Sequence, residues 1–197
     1  MNLLFFDTET SGLPAFRDPS DAPHQPHLIQ IAAMLTDGDG NELAEWSTLV
    51  QPGPGAVMEH KAFEAHGITL DKATAEGVPL TVAWEKFTSL LTGAQGVVGH
   101  NVPFDIRIMR IAGVRATGMK WECPLEYRCT MRMSTSILNL PPTAKMLAAG
   151  FNKPKAPNLT ECVRFFFDED HSGAHDALAD VRASKRVYFA IKERLAQ

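Results

Sequence analysis

The start of the chain places two acidic residues at the end of an apolar run. Residues 3–6 are all apolar and are followed at once by Asp7, Thr8 and Glu9, after which residues 11–14 predict a turn. A β-strand alternates its side chains, so Asp7 and Glu9 share one face about 7 Å apart while Thr8 faces the other way. Two carboxylates this close at the end of a buried strand repel each other and lose solvent, unless cations lie between them. The pair therefore predicts either a metal site or a plain solvated strand end.

The bulk composition is that of an ordinary globular protein. The chain has 197 residues, of which 45% are hydrophobic and 21% charged, so we expect one domain spanning residues 1–197. No window approaches about eighteen uncharged apolar residues, and an acid already stands at position 7, so we expect neither a membrane span nor a secretion signal. Cys123, Cys129 and Cys162 form no C-x-x-C pair, which predicts reduced thiols in a cytoplasmic protein.

The charge of the chain does not by itself indicate a nucleic-acid binder. The formal net charge is −4, whereas such proteins usually carry a basic patch on a basic domain. Two divalent cations would add four positive charges and bring the loaded protein close to neutral. Two groups of basic residues could bind phosphates or simply form solvated faces. They are Arg107, Arg110, Arg115 and Lys120, and Lys145, Lys153 and Lys155.

The periodicity of apolar residues predicts strands mainly in the first half of the chain and helices mainly in the second. Strands are predicted at residues 2–6, 28–35, 43–50 and 96–99, and helices at 58–65, 80–92, 158–167 and 177–195, with another opening at 100–105. A long loop with several prolines runs from about residue 11 to His27, and residues 114–157 are difficult to assign. This order predicts an α/β fold with a mixed sheet covered by helices.

Two later acids can join the first pair. Asp105 lies in the first turn of a helix that follows an apolar strand, and Asp180 lies about one turn into the last helix. Asp7, Glu9 and these two could bind two Mg²⁺ or Mn²⁺ ions, which prefer carboxylate oxygens and can clamp a phosphodiester between them. His175 precedes the last helix on a lead-in expected to be mobile, and an imidazole there can act as a general base at neutral pH.

Three segments together resemble the exonuclease motifs of the DEDDh family. They are residues 5–13, 98–105 and 175–180, which occur in this order. The resemblance implies a ribonuclease H-like fold with a central five-stranded mixed β-sheet flanked by helices. It also implies a 3′-to-5′ exonuclease that releases nucleoside monophosphates. In that reading Asp7, Glu9, Asp105 and Asp180 bind the metal ions and His175 is the general base.

The same resemblance predicts residues that contact the substrate. The segment from Thr10 to Leu13 resembles the one that grips the terminal sugar and base, and His66 matches a histidine that touches the terminal nucleotide in proofreading members. Those members carry a glutamate five residues before that histidine, where this chain has Lys61. His66 can also be read as a residue that merely ends a helix.

The combined prediction is a metal-dependent 3′-to-5′ exonuclease acting on single-stranded or frayed 3′ ends of DNA. An exoribonuclease of the same family stays open, as does a nucleic-acid-binding or partner-binding module without turnover. The intact set of four acids and His175 argues against the non-catalytic module. Little chain follows the last helix and no sliding-clamp-binding peptide is apparent, so we expect a free-standing nuclease, with a polymerase partner possible but not indicated.

Overall fold

Five strands form one mixed sheet in the computed structural model, which describes residues 1–196. The strands are β1 (Leu3–Thr10), β2 (Leu28–Thr36), β3 (Glu42–Leu49), β4 (Val97–Gly99) and β5 (Tyr127–Cys129). Their order across the sheet is β3-β2-β1-β4-β5. The β1/β2 and β2/β3 pairs are antiparallel, whereas β4 runs parallel to both β1 and β5. The predicted five-stranded mixed sheet is therefore confirmed.

Helices cover both faces of this sheet. They are α1 (His60–His66), α2 (Leu70–Glu76), α3 (Leu80–Thr92), α4 (Val102–Thr117), α5 (Thr130–Leu138), α6 (Ala144–Ala148), α7 (Leu159–Phe167) and α8 (Ala177–Leu195). The bounds predicted for α3 and α8 match those of the structure. A capping box begins α7, because the Asn158 side chain accepts from the Glu161 N–H while the Glu161 carboxylate accepts from the Asn158 N–H, both at 2.8 Å. Among residues 1–196, no helix combines the length and the apolar character that crossing a membrane requires.

The alternation of β1 decides which layer each catalytic candidate faces. Leu4 and Phe6 pack in the core that includes α3 and α4, whereas Leu3 and Phe5 pack against residues of α8. Because side chains alternate along a strand, Asp7 and Glu9 share the face of Leu3 and Phe5. The two acids therefore point to the side of the sheet that α8 covers.

The long loop after β1 is fastened to α4 by two arginines. The Arg107 guanidinium donates to the carbonyl oxygens of Asp18 at 2.5 Å and Ala15 at 3.1 Å. Arg115 donates to the carbonyls of residues 25 and 26, both at 2.6 Å. These two members of the first basic group are therefore occupied inside the protein, which favours a structural role for them over phosphate binding.

Candidate active site

The candidate site lies where β1 meets the beginning of α8. Glu9 is buried and Asp7 partly buried, and both lie within the strand, which continues to Thr10 rather than ending at residue 6 as predicted. Glu9 pairs across the strands with Gln30 of β2. Residues paired in this way project their side chains on the same face of a sheet. Gln30 therefore stands beside the acids, in a strand that is otherwise almost entirely apolar.

Gln30 connects the sheet to the first turn of α8. Its side-chain oxygen accepts from the Ala177 N–H and its side-chain nitrogen donates to Asp176 Oδ2, both at 3.1 Å. The other oxygen of Asp176 accepts from the Ala179 N–H at 3.1 Å, which is the N-cap hydrogen bond of the helix. One amide group thus sets the position of the helix that delivers Asp180.

Asp105 reaches the same place from α4. Its Oδ1 accepts hydrogen bonds from the Thr8 hydroxyl at 2.7 Å and from the Thr8 N–H at 3.1 Å. Strand β4 pairs with β1 only through Leu4 and Phe5, so it does not extend to Thr8. The carboxylate of Asp105 therefore satisfies a backbone donor that the short neighbouring strand leaves open, and it is held at the edge of β1.

The carboxylate of Asp180 is bound through both of its oxygens. His171 donates from Nε2 to Asp180 Oδ1 at 2.5 Å, and the backbone N–H of His175 donates to Oδ2 at 3.3 Å. These two contacts tie residues 171–175, the lead-in to α8, to Asp180; the mobility expected for this lead-in stays a prediction. His175 itself has a left-handed backbone, with φ of 67°.

One group of possible metal ligands stands out among residues 1–196. Glu9, His175 and Asp180 each offer a ligand atom, and these atoms lie within 4.8 Å of one another. Two carboxylates and an imidazole form a donor set that suits a divalent cation such as Mn²⁺. Asp7 and Asp105 belong to the same region, because the charge of Asp105 raises the pKa of both Asp7 and Glu9. The residues present therefore fit a divalent ion.

The acids show the electrostatic cost of this arrangement. Burial raises the pKa of Glu9 to about 8, with further contributions from the charges of Asp180 and Asp105. Burial also raises the pKa of Asp105 to about 7, although the hydrogen bond from the Thr8 side chain opposes the shift. The pKa of Asp7 lies well above its usual value, first through burial and then through the charge of Asp105. Burying several carboxylates this close together is costly unless a cation balances their charge.

A cavity of about 410 Å³ adjoins the acids. Its walls include Glu9, Thr10 and Leu13 from the first motif, together with Lys61 and His66 from α1. The volume is within the range of about 300–1,000 Å³ that small-molecule sites occupy. The predicted substrate contacts therefore line one cavity, and Leu13 stands at it with 73% of its surface exposed.

Both ring nitrogens of His66 have partners inside the protein. Nδ1 accepts from the Ile68 N–H at 3.0 Å, so Nε2 carries the proton and donates to the Thr10 carbonyl at 3.0 Å. Burial lowers the pKa of His66, which favours this neutral form. His66 therefore fixes the backbone of Thr10 at the cavity wall. A hydrogen bond from the His66 ring to a nucleotide would have to replace its hydrogen bond with Thr10 or with Ile68.

Gly12 lines both this cavity and a second one of about 280 Å³. A Cβ atom at Gly12 would lie 2.5 Å from Cδ and Oε1 of Glu59, so the absence of a side chain lets Glu59 pack there. The Glu59 N–H also donates to the Ser11 carbonyl at 2.7 Å. Glu59 lines both cavities and was not among the predicted substrate contacts.

Comparison with known proteins decides the family. A family profile described as Exonuclease matches residues 4–188, which is most of the chain. The chain belongs to this exonuclease family. The family prediction made from the three motifs is confirmed, and with it the prediction that the chain is a nuclease and a hydrolase.

Individual relatives of this exonuclease are larger than the chain itself. It is 28% identical to the PolC-type DNA polymerase III of Thermotoga maritima over 142 residues, which is 70% of this chain and 9% of that protein. The corresponding protein of Thermotoga petrophila is 27% identical over 142 residues, with the same coverage. The chain therefore spans about a tenth of the length of these curated relatives.

Solved structures establish the fold. E. coli Exonuclease I in complex with a dA16 oligonucleotide matches with a TM-score of 0.75 and 23% identity, covering 99% of this chain and 41% of that one. Exonuclease I from Methylocaldum szegediense matches with a TM-score of 0.73 and 23% identity, covering 100% and 41%. The predicted ribonuclease H-like exonuclease fold is confirmed.

Three polar residues that organise the site were not predicted. Thr8 holds Asp105, Gln30 holds the start of α8, and His171 holds Asp180. The role of Gln30 could have been predicted, because a single amide in an apolar strand must find partners when it is buried. The role of His171 could not have been predicted, since a histidine in a polar segment has the pattern of a surface residue.

We expect the metal-free exonuclease to lose stability as the pH rises from about 5 to about 8. Glu9 has a folded pKa of about 8 against an ordinary value of 4.5, and Asp105 about 7 against 3.8. The folded state therefore binds more protons than the unfolded state across this window, so stability falls with rising pH. Thermal melts in EDTA at several pH values measure this slope.

Millimolar Mn²⁺ should raise the melting temperature and should do so most at the alkaline end, because ionised carboxylates bind the cation and only the folded state assembles them. A melting temperature that Mn²⁺ leaves unchanged at every pH would contradict a preformed cation site. A Glu9→Gln variant serves as the reference, since its EDTA melts should depend less on pH.

Proposed function

We propose that this exonuclease removes nucleotides from the 3′ end of DNA, with a preference for single-stranded or frayed ends. The observation that carries the proposal is the convergence of β1, α4 and α8. These three elements bring Asp7, Glu9, Asp105 and Asp180 close enough for their charges to interact, and Glu9 of this cluster lines a cavity of about 410 Å³. A cluster of acids by itself indicates only cation binding. A cluster beside a cavity of this size can also act on a nucleotide bound in the cavity.

We assign the four acids as ligands of two divalent ions, Mg²⁺ or Mn²⁺. When bound, such ions supply charge neutralisation for the phosphodiester and favour ionisation of the attacking water. The protein contributes the positions of the ligands. Asp105 is held by Thr8, and the α8 turn that precedes Asp180 is held by Gln30.

We assign His175 as the general base. His175 lines the cavity, and its ring lies next to Glu9 and Asp180, where a neutral imidazole can accept a proton from water. The water oxygen forms a bond to phosphorus, and the bond from phosphorus to the 3′ oxygen of the preceding nucleotide breaks. The terminal nucleotide leaves as a 5′-monophosphate, and the shortened strand keeps a 3′-hydroxyl after protonation.

The choice of DNA draws on the relatives. The PolC-type relatives are DNA polymerases, and the E. coli Exonuclease I structure contains a dA16 oligonucleotide. Thr10, Leu13 and His66 would then form the wall against which the terminal sugar and base lie. A protein distinguishes RNA from DNA through its treatment of the 2′-hydroxyl, so the substrate assay below includes RNA.

We also propose that residues 1–197 act as one exonuclease domain in the cytoplasm. Within the described residues, Cys123, Cys129 and Cys162 are all free thiols, as an interior that stays reduced would favour. The shared 142 residues with PolC-type polymerases leave a polymerase partner as a question for pull-down experiments.

We expect metal-dependent shortening of DNA from its 3′ end. The protein is incubated with single-stranded, 3′-overhanging, blunt and mismatched DNA and with single-stranded RNA, each labelled at the 5′ end, in Mg²⁺, Mn²⁺ or EDTA. A ladder of shortened labelled strands, fastest for single-stranded and frayed DNA and absent in EDTA, is the expected result.

Labelling position provides the control for direction. A 3′ label should appear at once as mononucleotide, whereas a 5′ label should remain on strands of decreasing length. Shortening of RNA alone would contradict the DNA assignment. No shortening of any strand with either metal would contradict the catalytic proposal and leave the non-catalytic binding module.

A further inference from the structure

We infer that His171 is a positioning residue that holds the Asp180 carboxylate and, through it, the backbone that carries His175. The inference rests on the proposed function, because it assigns a role within the same site. No step of the chemistry is assigned to His171 itself.

The first observation is the contact and its burial. His171 donates from Nε2 to Asp180 Oδ1 at 2.5 Å, and only 6% of its side chain is exposed, against 14% for Asp180. An imidazole enclosed to this extent needs partners for its polar atoms. The position of His171 is therefore defined by the carboxylate that it contacts.

The second observation is that the same carboxylate also holds His175. Asp180 Oδ2 accepts from the His175 N–H at 3.3 Å, so the side chain of His171 and the backbone of His175 occupy different oxygens of one group. The side chain of Asp180 thereby holds both His171 and His175, which precede it in the chain. A carboxylate free to rotate could not keep both donors, so loss of one contact loosens the other.

The third observation is the conformation of the lead-in. His175 has φ of 67°, a left-handed conformation that residues other than glycine rarely adopt. The turn is closed by the Asp176 N–H, which donates to the Gly173 carbonyl at 3.0 Å. A Cβ atom at Gly173 would lie 3.1 Å from the Ala179 Cβ, so the lead-in packs closely on α8. This conformation requires support, and the hydrogen bond to Asp180 provides it.

Together these contacts connect Asp180, the candidate metal ligand, to His175, the candidate base. Hydrogen bonds from outside a metal site commonly orient the ligating carboxylates, and their loss typically costs about 10–100-fold in metal affinity or activity. His171 has such a place relative to Asp180. We therefore expect its loss to weaken cation binding and to slow the chemical step, while nucleotide binding in the cavity changes little.

The test compares three variants of the full chain. His171→Phe keeps a ring of similar size but removes the donor, and His171→Gln places an amide donor near the position of Nε2. Arg164→Gln is the matched control, because it removes an exposed ion pair with Asp170 of the same lead-in without touching Asp180. Circular dichroism and thermal melts establish that each variant is folded.

Two quantities are measured. Steady-state kinetics on 5′-labelled single-stranded DNA separate kcat from KM, and electron paramagnetic resonance of free Mn²⁺ gives the metal affinity without any turnover. For His171→Phe we expect kcat to fall about 10–100-fold and Mn²⁺ affinity about 10-fold, with KM within about twofold of wild type. His171→Gln should recover part of both losses, and Arg164→Gln should match wild type.

A folded His171→Phe with wild-type kcat and wild-type Mn²⁺ affinity would overturn the inference, as would equal losses in Arg164→Gln. If His171→Phe does not fold, His171→Asn replaces it, because its shorter amide cannot reach the position of Nε2; wild-type values there would also overturn it. A wild-type chain that degrades no substrate would refute the proposed function, whereas the Mn²⁺ affinities of the variants would still test the positioning.

Discussion

Asp7→Asn is expected to abolish the metal-dependent nuclease activity while making the metal-free protein more stable. Asparagine keeps the shape of the side chain but removes the charge that we assign to cation binding. Losing about 4 kcal/mol of cation-dependent stabilisation of the transition state lowers the rate roughly a thousandfold. Single-turnover assays with 5′-labelled DNA in Mg²⁺ and Mn²⁺ measure this loss.

The gain in stability has a separate physical cause. The pKa of Asp7 is raised by burial and by the neighbouring charges of Asp105, Asp180 and Glu9. Ionising it in the folded state therefore costs free energy at neutral pH, and a neutral amide removes that cost. We expect a higher melting temperature in EDTA, by about 2–4 °C for each kcal/mol recovered.

Opposite changes in activity and stability are the signature of a functional carboxylate. The control is Asp39→Asn in the exposed turn between β2 and β3, which should change neither quantity. An Asp7→Asn variant with wild-type activity would contradict the ligand assignment. A variant that is inactive and also less stable in EDTA would contradict the electrostatic account and indicate a structural role for Asp7.

His175→Asn is expected to lower the rate by about 100–10,000-fold while leaving Mn²⁺ affinity within about threefold of wild type. Asparagine is chosen because it tolerates the left-handed backbone at this position, where φ is 67°. The hydrogen bond from the backbone N–H to Asp180 can therefore persist. The variant thus removes the imidazole without disturbing the lead-in.

Metal affinity is the decisive measurement for this variant, because the geometry allows two roles for His175. Its ring has an atom within 4.8 Å of ligand atoms of Glu9 and Asp180, so it could bind a cation instead of a proton. If Mn²⁺ affinity fell as far as in Asp7→Asn, His175 would be a ligand and the base assignment would be wrong. His60→Asn, which alters an exposed histidine paired with Glu64, is the control and should keep the wild-type rate.

The elements that could be predicted are those whose pattern is complete within a short stretch of sequence. The stripe of apolar residues in α3 and the N-cap of α8 at Asp176 depend on neighbours a few residues away, and both helices have the predicted bounds. β5 was not predicted because it is three residues long and exists through its pairing with β4. From the residues alone only four strands were assigned, and the fifth was expected through the family resemblance.

The same difference between local patterns and long-range contacts decides which residues of the candidate site could be predicted. Asp7, Glu9, Asp105, His175 and Asp180 were predicted from three motifs, because each motif is a strand end or helix start with an acid in a characteristic place. The residues that hold these side chains were not predicted. Thr8 acts on Asp105 across 97 positions and Gln30 on Asp176 across 146, distances over which local pattern carries no information.

The sequence by itself determined the family, the alternation that puts Asp7 and Glu9 on one face, and the helix that presents Asp180. Only the tertiary structure decided that Arg107 and Arg115 fasten a loop, that both ring nitrogens of His66 are occupied, and that His171 holds Asp180. The physical reason is the range of the interactions. Strand alternation and helix capping act between neighbours in the chain, whereas a buried polar group takes whichever partner the folded chain brings within hydrogen-bonding distance.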